Sequence, residues 1–80
     1  MNNIITKQEL WNLPIEQIVK LTKGRSVRIL LTNGETKIVI VKNLLSAANI
    51  PHLFTGFLTM NDEVINIANI EKVEVDANVI

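Results

Sequence analysis

His52 is the only histidine of this 80-residue chain, and no Cys, Asp or Glu stands within nine residues of it on either side. As a general base or a metal ligand it would have to recruit partners from distant strands, and a metal site takes several protein ligands. Beside Pro51 it reads as a surface or partly buried histidine. Asp62 and Glu63 are adjacent carboxylates, but neighbours in an extended chain point to opposite faces, so the pair reads as a solvated turn. Ser26, Ser46 and the threonines lie in no nucleophile-elbow pattern, and the glycines at 24, 34 and 56 are too scattered to form a phosphate-cradling loop. The expectation is a non-enzyme with no catalytic residues, no cofactor and no metal.

Charge and aromatic surface remain as candidate chemistry. Lys20, Lys23, Arg25 and Arg28 gather cations where a helix is expected to end and a strand to begin, and Lys37 lies on the following strand. Such a group could hold phosphates, with binding that falls steeply as salt rises. The competing reading is that the lysines complement the helix dipole while the arginines pair with Glu71, Glu74 or Asp76. Leu10 and Trp11 are candidate interface residues, because tryptophan dominates binding hot spots; otherwise Trp11 caps one end of the sheet. Phe54 and Phe57 differ by three positions and face opposite sides of an undistorted strand, which puts one in the core and leaves the other to cover a helix or a partner. With one Trp, two Phe and no Tyr, the chain is poorly supplied for a stacking platform along single-stranded nucleic acid.

These side chains must be carried by elements that the sequence also marks. Thr6 followed by Glu9 is a capping-box pattern, so a helix is expected from Lys7 through Leu10 and Trp11. Pro14 interrupts it and suits the start of a second helix, with Ile15, Ile18 and Val19 at helical spacing and Lys20, Lys23 and Gly24 as the closing signature. The amino-terminal part is thus one kinked helix or two short ones. Asn33-Gly34 between the apolar runs of 26–32 and 35–42 predicts a β-hairpin closed by a type I′ turn. Residues 43–49 suggest a helical turn that ends at Ile50-Pro51. Residues 52–60 and 63–68 read as strands, with Gly56 marking a bulge or bend and Asn61-Asp62 a turn. A connector or 3₁₀ turn over 69–71 precedes a last strand in which Val73, Val75, Ala77 and Val79 alternate with polar residues.

Five strands with tight turns, a bend-marking glycine and a short connector before the final strand resemble the small SH3-like and Sm-like barrel superfamily. The resemblance covers residues 26–80. It is carried by Leu30-Leu31-Thr32-Asn33-Gly34, which looks like the first Sm hairpin, and by Ile65-Asn66-Ile67-Ala68-Asn69-Ile70, which looks like the strand and turn before the last strand. It implies a closed or nearly closed small sheet with an appended amino-terminal helix. In the Sm nucleotide-binding loops an Asp and an Asn follow the second strand and an Arg/Lys-Gly pair sits in the second motif; here Lys42-Asn43 and Ala68-Asn69 occupy those places.

Length and composition bound the rest. Eighty residues make a single domain, 1–80, with a helical appendage over 1–24 and a barrel-like core over 26–80, and a domain of this size hides only about 60–65% of its unfolded surface. Yet 48% of the residues are hydrophobic and 20% charged, more apolar material than a thin core holds, so some of it is expected at an oligomer interface or a binding face. The absence of cysteine suits a reducing cytoplasm, and the longest apolar run, Ile38 to Val41, is far too short to span a bilayer. Formal charge is zero overall but splits into +4 over residues 1–42 and −4 over 43–80; adjacent first and last strands would let these charges pair. The fold class expected is α+β: an amino-terminal helical segment on a curled five-stranded antiparallel sheet or small barrel. The function expected is a non-catalytic module that self-associates and binds a protein partner. A Sm-like RNA or single-stranded nucleic-acid binder using the Lys20 to Arg28 patch is the alternative. So short and Asn/Ile-rich a chain also suits a phage or mobile-element origin.

Overall fold

A computed structural model describes residues 4–75 of the chain. Its first element is a strand that periodicity does not predict. β1 (Ile4–Thr6) is too short to show alternation, but it pairs antiparallel with the last strand, β6 (Ile70–Val75), through Ile4 with Glu74, Ile5 with Val73 and Thr6 with Lys72. Ile5 is buried there, and the outer edge of β6 is covered. The sheet therefore has six strands rather than the five expected.

Thr6 then caps α1 (Lys7–Asn12) as the capping box requires. The Glu9 amide donates to Thr6 Oγ1 at 3.2 Å and the Thr6 amide donates to Glu9 Oε1 at 3.0 Å. The extended conformation imposed on Leu13 by the following proline stops this helix, and Pro14 caps α2 (Ile15–Thr22). Two short helices form, and each sends one residue fully into the core, Leu10 from α1 and Ile18 from α2. Thr22 is buried as well, and its hydroxyl donates to the Ile18 carbonyl at 2.7 Å, so no polar atom is stranded. Gly24, at φ +79°, turns the chain out of α2, and its amide donates to the Val41 carbonyl at 2.8 Å.

β2 (Ser26–Leu31) and β3 (Thr36–Ser46) form the expected hairpin, but not with a type I′ turn. The Gly34 amide donates to the Leu31 carbonyl and the Leu31 amide to that of Glu35, and Gly34 alone of the pair has positive φ, +92°. The loop is thus three residues, Thr32-Asn33-Gly34, with the glycine in the left-handed position that closes a bulged hairpin. Asn33 supports it, accepting from the Glu35 amide at 2.9 Å. The second hairpin repeats the device: the Asp62 amide donates to the Thr59 carbonyl, the Thr59 amide donates to that of Glu63, and Asp62 stands at φ +62° in the glycine's place.

The strand order is β1-β6-β2-β3-β4-β5, with β4 spanning Phe54–Thr59 and β5 Val64–Asn66. All pairings are antiparallel, and the sheet is open at β1 and β5 rather than closed into a barrel. A 3₁₀ turn over Ile67–Asn69, two residues earlier than expected, links β5 to β6.

β3 holds the two halves of this sheet together. Its first half pairs with β2 and its second with β4, and Lys42 is an extra residue between the Val41–Thr59 and Asn43–Leu58 pairs. That bulge turns both Val41 and Leu44 inward although they are three positions apart. Residues 43–46 are therefore strand and not the helical turn expected of 43–49, because a bulged strand imitates helical i, i+3 spacing. A second bulge at Thr55, between the Leu45–Gly56 and Ser46–Phe54 pairs, does the same for Phe54 and Phe57. Both rings are buried, with centroids 4.8 Å apart at 59°, so neither covers a partner. At Gly56 between them β5 packs close: a Cβ there would stand 2.6 Å from the Ile65 carbonyl oxygen. The expected alternation of the last strand is present through Val75; Ala77 and Val79 lie outside the described residues.

Candidate functional site

The cations anticipated as a phosphate patch do not form one uncompensated cluster. Lys20 lies in the last turn of α2 and Lys23 is its carboxyl-terminal cap, where both complement the helix dipole. Arg25 follows, exposed, with its carbonyl accepting from the Val41 amide at 3.1 Å. Arg28 lies on β2 opposite Glu74 of β6 and pairs with it at 3.5 Å, both side chains nearly half exposed. Lys37 of β3 donates to Glu63 from the second hairpin turn, a bond that, with the charge of that carboxylate, raises the lysine above its ordinary value of 10.5. Lys42 reaches Asp62 at 3.1 Å. In all three pairs a cation of the first half meets a carboxylate of the second, so the charge asymmetry of the sequence is cancelled locally. Exposed pairs of this kind contribute little to stability, because water and salt screen them. Among the described residues, Lys20 and Lys23 make no ion pair.

The other anticipated residues are placed as follows. Leu10 is in the core and offers no surface, whereas Trp11, its neighbour on α1, is 48% exposed. His52 is exposed in the β3–β4 connection, and its carbonyl accepts from the Ile15 amide, which ties that loop to the start of α2. No group of three His, Asp or Glu among the described residues could hold a metal ion. No helix among them is long and apolar enough to cross a membrane.

The surface that residue-by-residue reasoning missed lies on the outer face of β3. Ile38 and Ile40 are 53% and 48% exposed, and Met60, just past β4, is 55% exposed. They form one surface: the Met60 amide donates to the Ile40 carbonyl at 2.9 Å, and all three side chains border a single shallow depression with Ser26, Thr59 and Asn61. The signal for it was in the hairpin. The turn sets a register in which Ile38 lies opposite Arg28 and Ile40 opposite Ser26, so the face carrying these isoleucines is the one whose β2 partners are polar.

The fold and its surface define a small open-sheet α+β domain whose exposed chemistry is apolar and charge-balanced. Comparison with family models, curated proteins and solved structures found no match to this chain.

Proposed function

We propose that this chain is a small non-catalytic interaction module that self-associates and engages a protein partner. The observation that carries this reading is the Ile38, Ile40 and Met60 surface, which the fold leaves uncovered while Arg28, Lys37 and Lys42 are engaged within the chain. Clustered exposed apolar residues mark contact surfaces in a way that single ones do not. The tight turns, the bends in β3 and β4 and the short connector before β6 support reading residues 26–75 as an opened sheet of SH3-like or Sm-like type.

The alternative, nucleic-acid binding through Lys20, Lys23, Arg25 and Arg28, draws support from the two lysines at the end of α2. Fluorescence anisotropy with mixed RNA and DNA oligomers at two salt concentrations separates the readings. The module reading expects no binding. Binding at low salt that is lost on combining Arg25→Glu with Arg28→Glu would establish the alternative. Light scattering after size exclusion should in turn report a mass above that of the 9.0 kDa monomer.

A further inference from the structure

We propose that Asn33 is a site of spontaneous covalent modification, at which ring closure onto Gly34 turns the carboxamide into a carboxylate, and that the β2–β3 turn holds this reaction back in the folded chain. The inference is independent of the module reading, and neither falls with the other.

The reactive pair is marked in the sequence. Asparagine is thermolabile because the backbone nitrogen of the next residue can attack its side-chain carbonyl carbon. A side chain on that next residue crowds the approach, and glycine has none. Of the ten asparagines only Asn33 precedes a glycine, while seven of the others precede Ile, Leu or Val. Asn33 and Gly34 are both exposed, and the position that a Gly34 Cβ would take is open space.

The step balances with water as the sole co-reactant. The Gly34 nitrogen bonds to Asn33 Cγ, the Cγ–Nδ2 bond breaks, and the proton lost from the Gly34 nitrogen ends on the departing ammonia. A cyclic imide is left. Water then opens the ring at either of its carbonyls, giving aspartate, or isoaspartate in which the main chain runs through the former side chain. Either product adds one negative charge at position 33.

Three hydrogen bonds restrain this chemistry in the fold. The Gly34 amide donates to the Leu31 carbonyl at 3.0 Å, so the attacking nitrogen keeps its proton until the turn opens, as in amide hydrogen exchange. The carboxamide is pinned in turn by Glu35: Asn33 Oδ1 accepts from the Glu35 amide at 2.9 Å, and Asn33 Nδ2 donates to Glu35 Oε1 at 2.7 Å. Glu35 is therefore the latch on the group that must leave. The same contact makes conversion disruptive. With oxygen in place of Nδ2, the Glu35 carboxylate meets a second carboxylate where it had a donor. Isoaspartate also lengthens a three-residue loop whose bulged geometry sets the hairpin register.

The full chain, incubated at mildly alkaline pH either folded or in denaturing urea, is digested with trypsin, and the peptide Ile29–Lys37 is followed by chromatography and mass spectrometry. In urea, position 33 should convert faster than any other asparagine, and Gly34→Ala should slow it severalfold. In the folded chain the conversion should run about tenfold or more slower than in urea, the protection of a turn that must open locally. Glu35→Ala, checked for folding by circular dichroism, should raise the ratio of folded to unfolded rates severalfold; if that variant does not fold, the parent's own ratio decides. Converted chain, separated by its added charge, should melt below the parent. Equal rates with and without urea, or another asparagine converting first in urea, overturn the inference. An unchanged ratio in folded Glu35→Ala removes the latch, and converted chain that melts with the parent removes the disruption.

Discussion

Gly56→Ala puts the geometry of the sheet to a quantitative test. Gly56 is in β4, opposite Asn66 of β5 and Leu45 of β3, and does not have positive φ. Alanine therefore suits its backbone and would on its own stabilise the fold by about 0.5–1 kcal/mol, by narrowing the unfolded ensemble. Against this, the new Cβ would sit 2.6 Å from the Ile65 carbonyl oxygen and 3.3 Å from the Asn66 Cα. Carbon–oxygen contacts between strands run at about 3.3–3.6 Å, so β5 must retreat by roughly 0.7 Å. The obstacle is backbone on a strand, not the end of a flexible side chain, and overpacking of this kind costs about 1–3 kcal/mol. Stretching the neighbouring β4–β5 hydrogen bonds adds about 1 kcal/mol. The net expectation is a loss of about 1–3 kcal/mol, read by urea unfolding, or a drop in Tm of roughly 5–20 °C for a domain of this size. A Gly56→Ala chain as stable as the parent to within about 0.5 kcal/mol would refute the close approach of β5 and the topology built on it.

Other perturbations act at the turns and caps. Asp62→Val forces a β-branched residue into positive φ and should cost about 1–2 kcal/mol, whereas Asp62→Gly and Lys42→Gln should each stay within about 0.5 kcal/mol of the parent; equal losses in all three would place the effect in the ion pair instead. Thr6→Ala removes the oxygen that accepts from the Glu9 amide and should cost about 0.5–2 kcal/mol in thermal or urea unfolding, with no loss if the α1 cap is idle. Glu63 raises the Lys37 pKa above 10.5, so its contribution is complete at lower pH and is lost as pH climbs through the raised value. The parent should accordingly lose stability more steeply above about pH 10.5 than Glu63→Gln does, and parallel alkaline profiles would remove the pair from the account.

Much of the architecture was legible because it is written in local chemistry. Thr6 with Glu9, Pro14, Gly24 and Asn33-Gly34 each act within a few residues, and each marks the boundary that the structure shows. What escaped was written in two bulges and one register. An extra residue at Lys42 and another at Thr55 convert strand alternation into i, i+3 spacing, so that Leu44 looked helical and Phe54 and Phe57 looked opposed. No residue type encodes such a bulge by itself; it follows from the demand that Val41 and Leu44, and likewise Phe54 and Phe57, all reach one thin core. β1 escaped for a different reason. Three residues carry too little pattern, and its place is set by the exposed edge of β6, which is 64 or more residues away in the chain. Of the candidate site, the cations were legible as residues but not as pairs, since Arg28 with Glu74 and Lys37 with Glu63 are joined only once the strands are ordered.

The run Ile38 to Val41 shows why stability and recognition can be separated in so small a sheet. Val41 is fully buried, while Ile38 and Ile40, on the opposite face, are about half exposed over Arg28 and Ser26. Truncating Val41 would open a cavity that the core has no spare material to fill. Polar replacement of Ile40 leaves the core intact and should change folding by no more than about 0.5 kcal/mol, the usual range for a surface site. The fold therefore has little use for isoleucine at 38 and 40 beyond strand propensity, which threonine would supply equally. Because the nearby ion pairs satisfy their own charges within the chain, the free energy still available on this face is that of removing apolar surface from water. Ile40→Thr is thus the sharpest separation of the two roles: a melting curve that overlays the parent, together with weakened association, assigns the residue to contact, and a melting curve lowered by several degrees assigns it to the fold.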